Sequence, residues 1–177
     1  NLPRIFGELL YLLEYRGEEE RVVLPYSKKR FSIPGNVYLI GTMNTADRSI
    51  ALVDHALRRR FHFVRLEPDP AILKAWLEKQ GRERMVWVAE LLREVNRRLE
   101  EDKVDWHLHI GHSHWMVRDG RLDEERAAMI WEHSVRPTLE EYFYNRADVL
   151  ARYEYETVKS AVTSIEQSSA ATANRSQ

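Results

Sequence analysis

The run Asn36-Val37-Tyr38-Leu39-Ile40-Gly41-Thr42 passes directly into the polar segment Met43-Asn44-Thr45-Ala46-Asp47-Arg48-Ser49, and this junction restricts the fold more than any other part of the chain. A nearly continuous apolar, β-rich run is the pattern of a strand covered on both faces, as the inner strands of parallel sheets are. After the polar segment, Ile50 to Arg60 has helical spacing, and Phe61-His62-Phe63-Val64-Arg65-Leu66 has strand character again. Strand, loop, helix, strand is the order of an α/β unit. Ahead of it, Leu2, Ile5, Phe6, Leu9, Leu10, Leu12 and Leu13 recur at three- and four-residue steps, which predicts an amphipathic helix ending near Arg16-Gly17. Between the two lie Arg21-Val22-Val23-Leu24-Pro25 and Arg30-Phe31-Ser32-Ile33-Pro34, a short hairpin with its prolines at exposed positions.

At Glu67-Pro68-Asp69-Pro70 the pattern changes to helices. Asp69 is placed to cap a helix whose first position is Pro70 and whose apolar face is Ile72, Leu73, Trp76 and Leu77. A longer helix follows with Val88, Leu91, Leu92, Val95 and Leu99 on one stripe, and Arg93, Glu94, Arg97 and Arg98 mostly on a solvated face. Asp123 caps another helix through Ile130 and Trp131, and Pro137 starts or kinks a last one carrying Leu139, Tyr142 and Phe143. From Lys159 to Gln177 large apolar residues are scarce, with Val162 and Ile165 as the candidate anchors of a weak helix before a tail. The expected divisions are therefore 1–67, 68–156 and a weakly helical or disordered 157–177.

Composition removes several function classes. The 27 Lys and Arg against 28 Asp and Glu leave a net charge of -1, so no global field favours a polyanion or an anionic membrane. With 44% hydrophobic and 31% charged residues, a packed core is expected over most of the 177 positions. Zero Cys rules out disulfides, thiolate chemistry and Cys-based zinc sites. No apolar run approaches the ~20 residues of a membrane helix, and Asn1-Leu2-Pro3-Arg4 carries neither Met nor a signal-peptide pattern. A cytoplasmic location and a chain cut from a longer protein are the expectations.

Ligands of parallel sheets sit beyond the carboxyl ends of strands, which is where Met43 to Ser49 falls. An Asn there can hold a water through its carbonyl or a phosphate oxygen through its amide, and an Arg can neutralise charge. The plain alternative is a polar loop in which Asn44 and Asp47 make local turn bonds and Ser49 caps the next helix. Two other sets carry chemistry of their own. His107, His109, His112 and His114 could offer imidazoles to a metal, but Asp105 is the carboxylate beside them and no Cys exists, so no metal is expected. Trp76, Trp87, Trp106, Trp115 and Trp131 could stack bases, but no basic stripe accompanies them and core packing is expected.

Gly41-Thr42-Met43-Asn44-Thr45-Ala46-Asp47-Arg48-Ser49, followed by Asp54-His55-Ala56-Leu57-Arg58-Arg59-Arg60-Phe61, closely resembles the signature of the McrB family of AAA+ proteins, the motor subunits of modification-dependent restriction systems. Ile5-Phe6-Gly7-Glu8-Leu9, Ile110-Gly111-His112-Ser113 and Leu139-Glu140-Glu141-Tyr142-Phe143 match as well, so the resemblance covers residues 1 to about 145. It implies an α/β fold, the C-terminal half of an AAA+ nucleotide-binding sheet subdomain followed by an all-helical lid. It further implies that Asn44 senses the γ-phosphate or orients the attacking water. Asp47 and Arg48 would contact a neighbouring subunit or the nuclease partner, and arginines of the Arg58-Arg59-Arg60 cluster would reach the next protomer's nucleotide. Successive helix positions differ by ~100°, so the three cannot all aim at one phosphate. Asp54 is spaced to pair with Arg58, which leaves Arg59 and Arg60 as the expected trans arginines.

The same resemblance implies GTP or ATP with Mg2+ in the intact protein, a homo-oligomeric, hexameric ring, a McrC-like endonuclease partner, and modified DNA bound through an N-terminal domain. No GxxxxGK[ST] phosphate loop occurs in the sequence. By itself the chain is expected to lack bound cofactor and to be inactive. A non-catalytic interaction module docking on a nuclease or ring subunit is the competing reading.

Overall fold

Gly17, at φ 142°, lies three residues past the end of the helix Leu9–Glu14, and the chain beyond it turns back as a hairpin. The computed structural model describes residues 7, 9–17, 19–44 and 58–164, and the chain separates into two units between Leu66 and Glu67. In the first unit, helix α1 (Leu9–Glu14) buries Leu12 and Leu13 with Ile33, and Leu9, Leu10, Val22 and Phe61 pack around them. The expected start of this helix at Leu2 to Phe6 lies outside the described residues. Strands β1 (Val22–Val23) and β2 (Arg30–Phe31) pair antiparallel with Val22 opposite Phe31 and Val23 opposite Arg30. Lys28 takes φ 55° in the connecting turn, and Pro25 and Pro34 fall outside the paired residues, where a missing N–H does no harm.

The run 36–42 departs from expectation. Among the described residues it has no ladder partner, and Tyr38 and Ile40 are 86% and 94% exposed, with Val37 and Leu39 exposed on the other face. The run 61–66 likewise joins no strand ladder among the described residues, with Phe63, Val64 and Leu66 exposed. An inner strand exists only where flanking strands answer its N–H and C=O groups; among the described residues no strand does so, and Val37 instead accepts from Arg16 Nη1 at 2.6 Å and donates to the Pro34 carbonyl at 3.1 Å. The two-stranded hairpin is the sheet that the described residues form, and the expected α/β order is not realised in them. Of the helix expected over 50–60, residues 50–57 lie outside the described residues.

The second unit is helical. Asp69 caps helix α2 (Pro70–Lys79) by accepting from the Ala71 amide at 2.8 Å, and Pro70 occupies the first turn, where its missing N–H is harmless. Leu73 and Leu77 are buried, whereas Ile72, expected on the same face, is exposed. The helix stops at Gly81, φ 67°, where the Arg82 amide donates to the Leu77 carbonyl and the Gly81 amide to that of Glu78. That is the double bond of a Schellman ending. Helix α3 (Trp87–Glu101) is the axis of the unit: Val88, Leu91, Leu92, Val95 and Leu99 are all 0% exposed. Short 3-10 turns at Trp106–Leu108 and His112–Trp115 lead to helix α4 (Glu124–Ile130), capped by Asp123 accepting from the Arg126 amide at 3.0 Å.

α4 continues through a π turn, Trp131–Val135, into α5 (Arg136–Tyr142). Pro137 explains the wide turn, since it cannot donate to the carbonyl of His133 and its ring needs room there. Thr138 Oγ1 donates to the Ser134 carbonyl at 3.1 Å, answering a group that the irregular turn exposes. Helix α6 (Ala147–Leu150) and a 3-10 turn, Ala151–Tyr153, lead to helix α7, 155–164. The chain beyond 157 thus stays helical through 164. Tyr155, Val158 and Val162 are buried, and Lys159 pairs with Glu124 while its ammonium lies 5.4 Å from the Trp87 ring centroid. Ile165 lies outside the described residues. Trp115 and Trp131 are wholly buried with ring centroids 6.4 Å apart, so core packing is their role. Among the described residues, no helix is long and apolar enough to cross a membrane.

One face of α3 is less solvated than its charges suggest. Glu94 and Arg98 are 4% and 9% exposed. Arg98 Nε donates to Glu94 at 2.7 Å, Arg97 donates to both Glu94 oxygens, and Arg98 Nη1 donates to the Arg152 carbonyl. Tyr153 Oη donates to Asp102 at 2.7 Å, so the segment 151–153 lies along this face and covers it. The hydrogen bonds from Arg97 and Arg98 hold the Glu94 carboxyl below its ordinary pKa despite burial. A depressed folded pKa contributes stability above the ordinary carboxylate range and loses it as pH falls through the folded value. Replacing Glu94 by Gln is therefore expected to cost about 1–3 kcal/mol at pH 7. In urea titrations at stepped pH, the gap between the two proteins should close as the solution passes below the carboxylate range.

Candidate functional site

Asn44 ends the extended run and is exposed. Asp47 and Arg48 lie outside the described residues, as does Asp54, the expected partner of Arg58. The three arginines diverge, as their spacing requires. The Arg58 guanidinium carbon is 6.0 Å from the Phe63 ring centroid. Arg59 is exposed. Arg60 turns inward: its Nη2 meets Glu14 Oε2 at 2.6 Å, and its side chain is 13% exposed. Glu14 is the last residue of α1 and stands 46 positions from Arg60, so no local spacing in the sequence announces this pair.

In the second unit the clustered histidines differ in their surroundings, and the buried Nε2 of His109 has no hydrogen-bond partner among the described residues. Asn96, buried on α3, donates from Nδ2 to the Ile110 carbonyl at 3.0 Å and accepts from the Ile110 amide at 2.8 Å. Both backbone groups of one buried residue are thereby answered by one side chain. This clamp fixes the segment that carries His112, whose Nδ1 accepts from the Asp69 amide at 3.1 Å. A neutral His112 therefore carries its proton on Nε2. His107 meets the edge of Trp106, with ring centroids 5.6 Å apart. His114 packs edge-on against Trp115, and burial lowers its pKa. Among the described residues, no three His, Asp or Glu side chains are grouped to hold a metal ion.

The role of Gly111-His112-Ser113 is thus visible as a tie between the loop and the cap of α2. Asn96 was not singled out from the sequence. Its signal was there, since it stands four residues after Leu92 and three before Leu99, on the edge of the apolar stripe. Arg82 works in a similar way. Its guanidinium lies 5.1 Å from the Trp76 ring centroid and donates to the carbonyls of Val117 and Gly120, both at 2.9 Å.

These helices have a known counterpart. Residues 87–151, from the start of α3 through the end of α6, match the family described as McrB, alpha-helical lid domain. The second unit therefore contains a lid of the McrB type, and the chain is McrB-like over the larger part of its length. It is 38% identical over 159 residues to the type IV methyl-directed restriction enzyme EcoKMcrB subunit of Escherichia coli strain K12. That match covers 82% of this chain and 35% of the relative, so the chain spans about a third of the relative's length.

Removing the Asn96 clamp should be costly. Asn96→Ala would leave the amide and carbonyl of Ile110, 2% exposed, without their partners. The expected loss is about 2–4 kcal/mol, read as a lower urea midpoint at unchanged slope. A variant within 0.5 kcal/mol of the parent, roughly the scatter of surface substitutions, would show that the loop holds without the clamp.

Proposed function

We propose that these residues are the sensor loop, arginine segment and lid of an AAA+ nucleoside-triphosphate hydrolase. In this reading GTP is the substrate, and the machine is the motor of a restriction system that cleaves modified DNA. The observation that carries the reading is the match to the EcoKMcrB subunit. A contiguous match over 82% of 177 residues takes in the centre of the chain wherever it starts, including Asn44 and Arg58 to Arg60. The geometry is compatible with it: an exposed Asn44 amide and an exposed Arg59 guanidinium are donors suited to phosphate oxygens.

The roles follow from that chemistry. Asn44 orients the attacking water or reads the γ-phosphate. An arginine from the 59–60 pair enters the neighbouring subunit's site, where it offsets charge that develops during transfer. Asp47 and Arg48 face a neighbouring subunit or the nuclease. Magnesium supplies charge neutralisation on the phosphates when bound. A phosphate loop, absent from the 177 residues, belongs to the rest of the machine. Ring assembly, hexameric in this proposal, brings the arginine to its target, with a McrC-like endonuclease as partner, DNA recognition by another domain, and the cytoplasm as the location.

The test uses the full-length product of the gene. Asn44→Ala is expected to lower turnover by about 10²–10³-fold, the scale of losing one oriented donor. Arg59→Ala subunits mixed with subunits mutated in the phosphate loop should recover part of the lost turnover, because each supplies what the other lacks. Unchanged turnover in Asn44→Ala would overturn the sensor role, and absence of recovery in the mixture would overturn the action in trans.

A further inference from the structure

We propose that Glu14 is a positioning residue, which holds Arg60 as a strut within its own subunit so that Arg59 is the arginine offered to a neighbour. This rests on the hydrolase reading above and decides between two residues which that reading leaves equal.

An arginine that crosses to another subunit has to stand clear of its own. Arg60 does not: its side chain is 13% exposed and its Nη2 is 2.6 Å from a Glu14 oxygen. Pulling it outward would break a charge-assisted hydrogen bond whose guanidinium is largely covered, although the Glu14 side chain on the other end is 45% exposed and so screened in part by water. The surroundings reinforce the tether. Phe61, the next residue, packs against the cluster of Leu12, Leu13 and Ile33, and Leu12 and Leu13 belong to the helix that ends in Glu14. Two successive residues, one by charge and one by apolar contact, thus fasten the end of the arginine segment to α1. Residue 59 is then set apart by the backbone itself, because neighbouring side chains on a helical turn diverge by ~100°. Arg59 is exposed, and Arg58 is drawn toward Phe63.

A strut and a trans arginine respond differently to charge exchange. A strut needs opposite charges in reach of each other, in either order. A trans arginine needs a guanidinium at its own position. The experiment compares Glu14→Arg, Arg60→Glu, the double exchange and Arg59→Ala in the full-length protein, reading turnover and the thermal midpoint of each. Glu14→Gln is added because it keeps the side-chain size and is the variant most certain to fold.

Each single reversal should lower both turnover and midpoint. The double exchange should restore both, turnover to within about threefold of the parent, as coupled pairs do when the interaction is rebuilt. Arg59→Ala should keep the parent's midpoint while losing about 10³-fold or more in turnover. Glu14→Gln should lower kcat with KM for the nucleotide unchanged, at temperatures where the variant is fully folded. A double exchange that recovers the midpoint but stays as slow as Arg60→Glu would overturn the proposal, since the Arg60 guanidinium would then be needed for itself. Recovery of neither quantity would overturn it too. If the unmutated full-length protein hydrolyses no nucleoside triphosphate, the underlying reading falls and the proposal with it, a result distinct from a failed exchange in an active protein.

Discussion

The stripe Val88, Leu91, Leu92, Val95 and Leu99 on α3 is the constraint on which the second unit depends. None of the five has exposed surface, which requires that chain be laid along the helix over its whole length. α2 supplies Leu73 and Leu77, the 3-10 turn at 112–115 supplies Trp115, the π turn supplies Trp131, and α7 supplies Val158. These come from far-separated parts of the sequence, so the lid closes as one cooperative body. Helices as short as α4, α5 and α6 hold little helical stability in isolation. They persist because each contributes a buried side chain to the same axis.

Packing chain around most of one helix, with Arg93, Arg97 and Glu100 left exposed, creates a polar problem, and the molecule answers it with a few multivalent side chains. Asn96 answers two backbone groups, Arg82 answers two carbonyls while covering Trp76, and Glu94 receives Arg97 and Arg98. The irregular segments between helices therefore have specific anchors. The same economy places His112 against the amide of Asp69, which joins the cap of the first lid helix to a loop more than forty residues away.

The helical unit was legible because its signals are local. Asp69-Pro70, Asp123 and Pro137 mark boundaries through backbone chemistry that acts within a turn, and the α3 stripe repeats at helical spacing. Glu94 and Arg98 were misjudged because charge pattern along a helix says nothing of what covers it from elsewhere; here that cover is 151–153. The apolar run at 36–42 was read as an inner strand, yet strand pairing is non-local and cannot be read from one strand. Met43 to Ser49 was legible as chemistry through resemblance, and Asn44 and Arg59 stand exposed, but nothing local in the sequence could link Glu14 to Arg60.

The π turn at Trp131–Val135 bears on how this lid tolerates changes in length. In a regular α-helix, residues four apart fall ~40° out of line, so three of them in succession drift off a common face. Trp131, Val135 and Leu139 are four apart in succession, and all three are completely buried. The wider turn takes back part of that drift and keeps them in one row. The segment therefore behaves as an inserted residue that the fold has absorbed. Deleting one position within it would restore a regular helix and leave Leu139 and Phe143 on nearly the face they now occupy, because the wide turn sweeps with one more residue about the rotation of a regular one; forcing regular geometry at unchanged length is what would turn them from the axis.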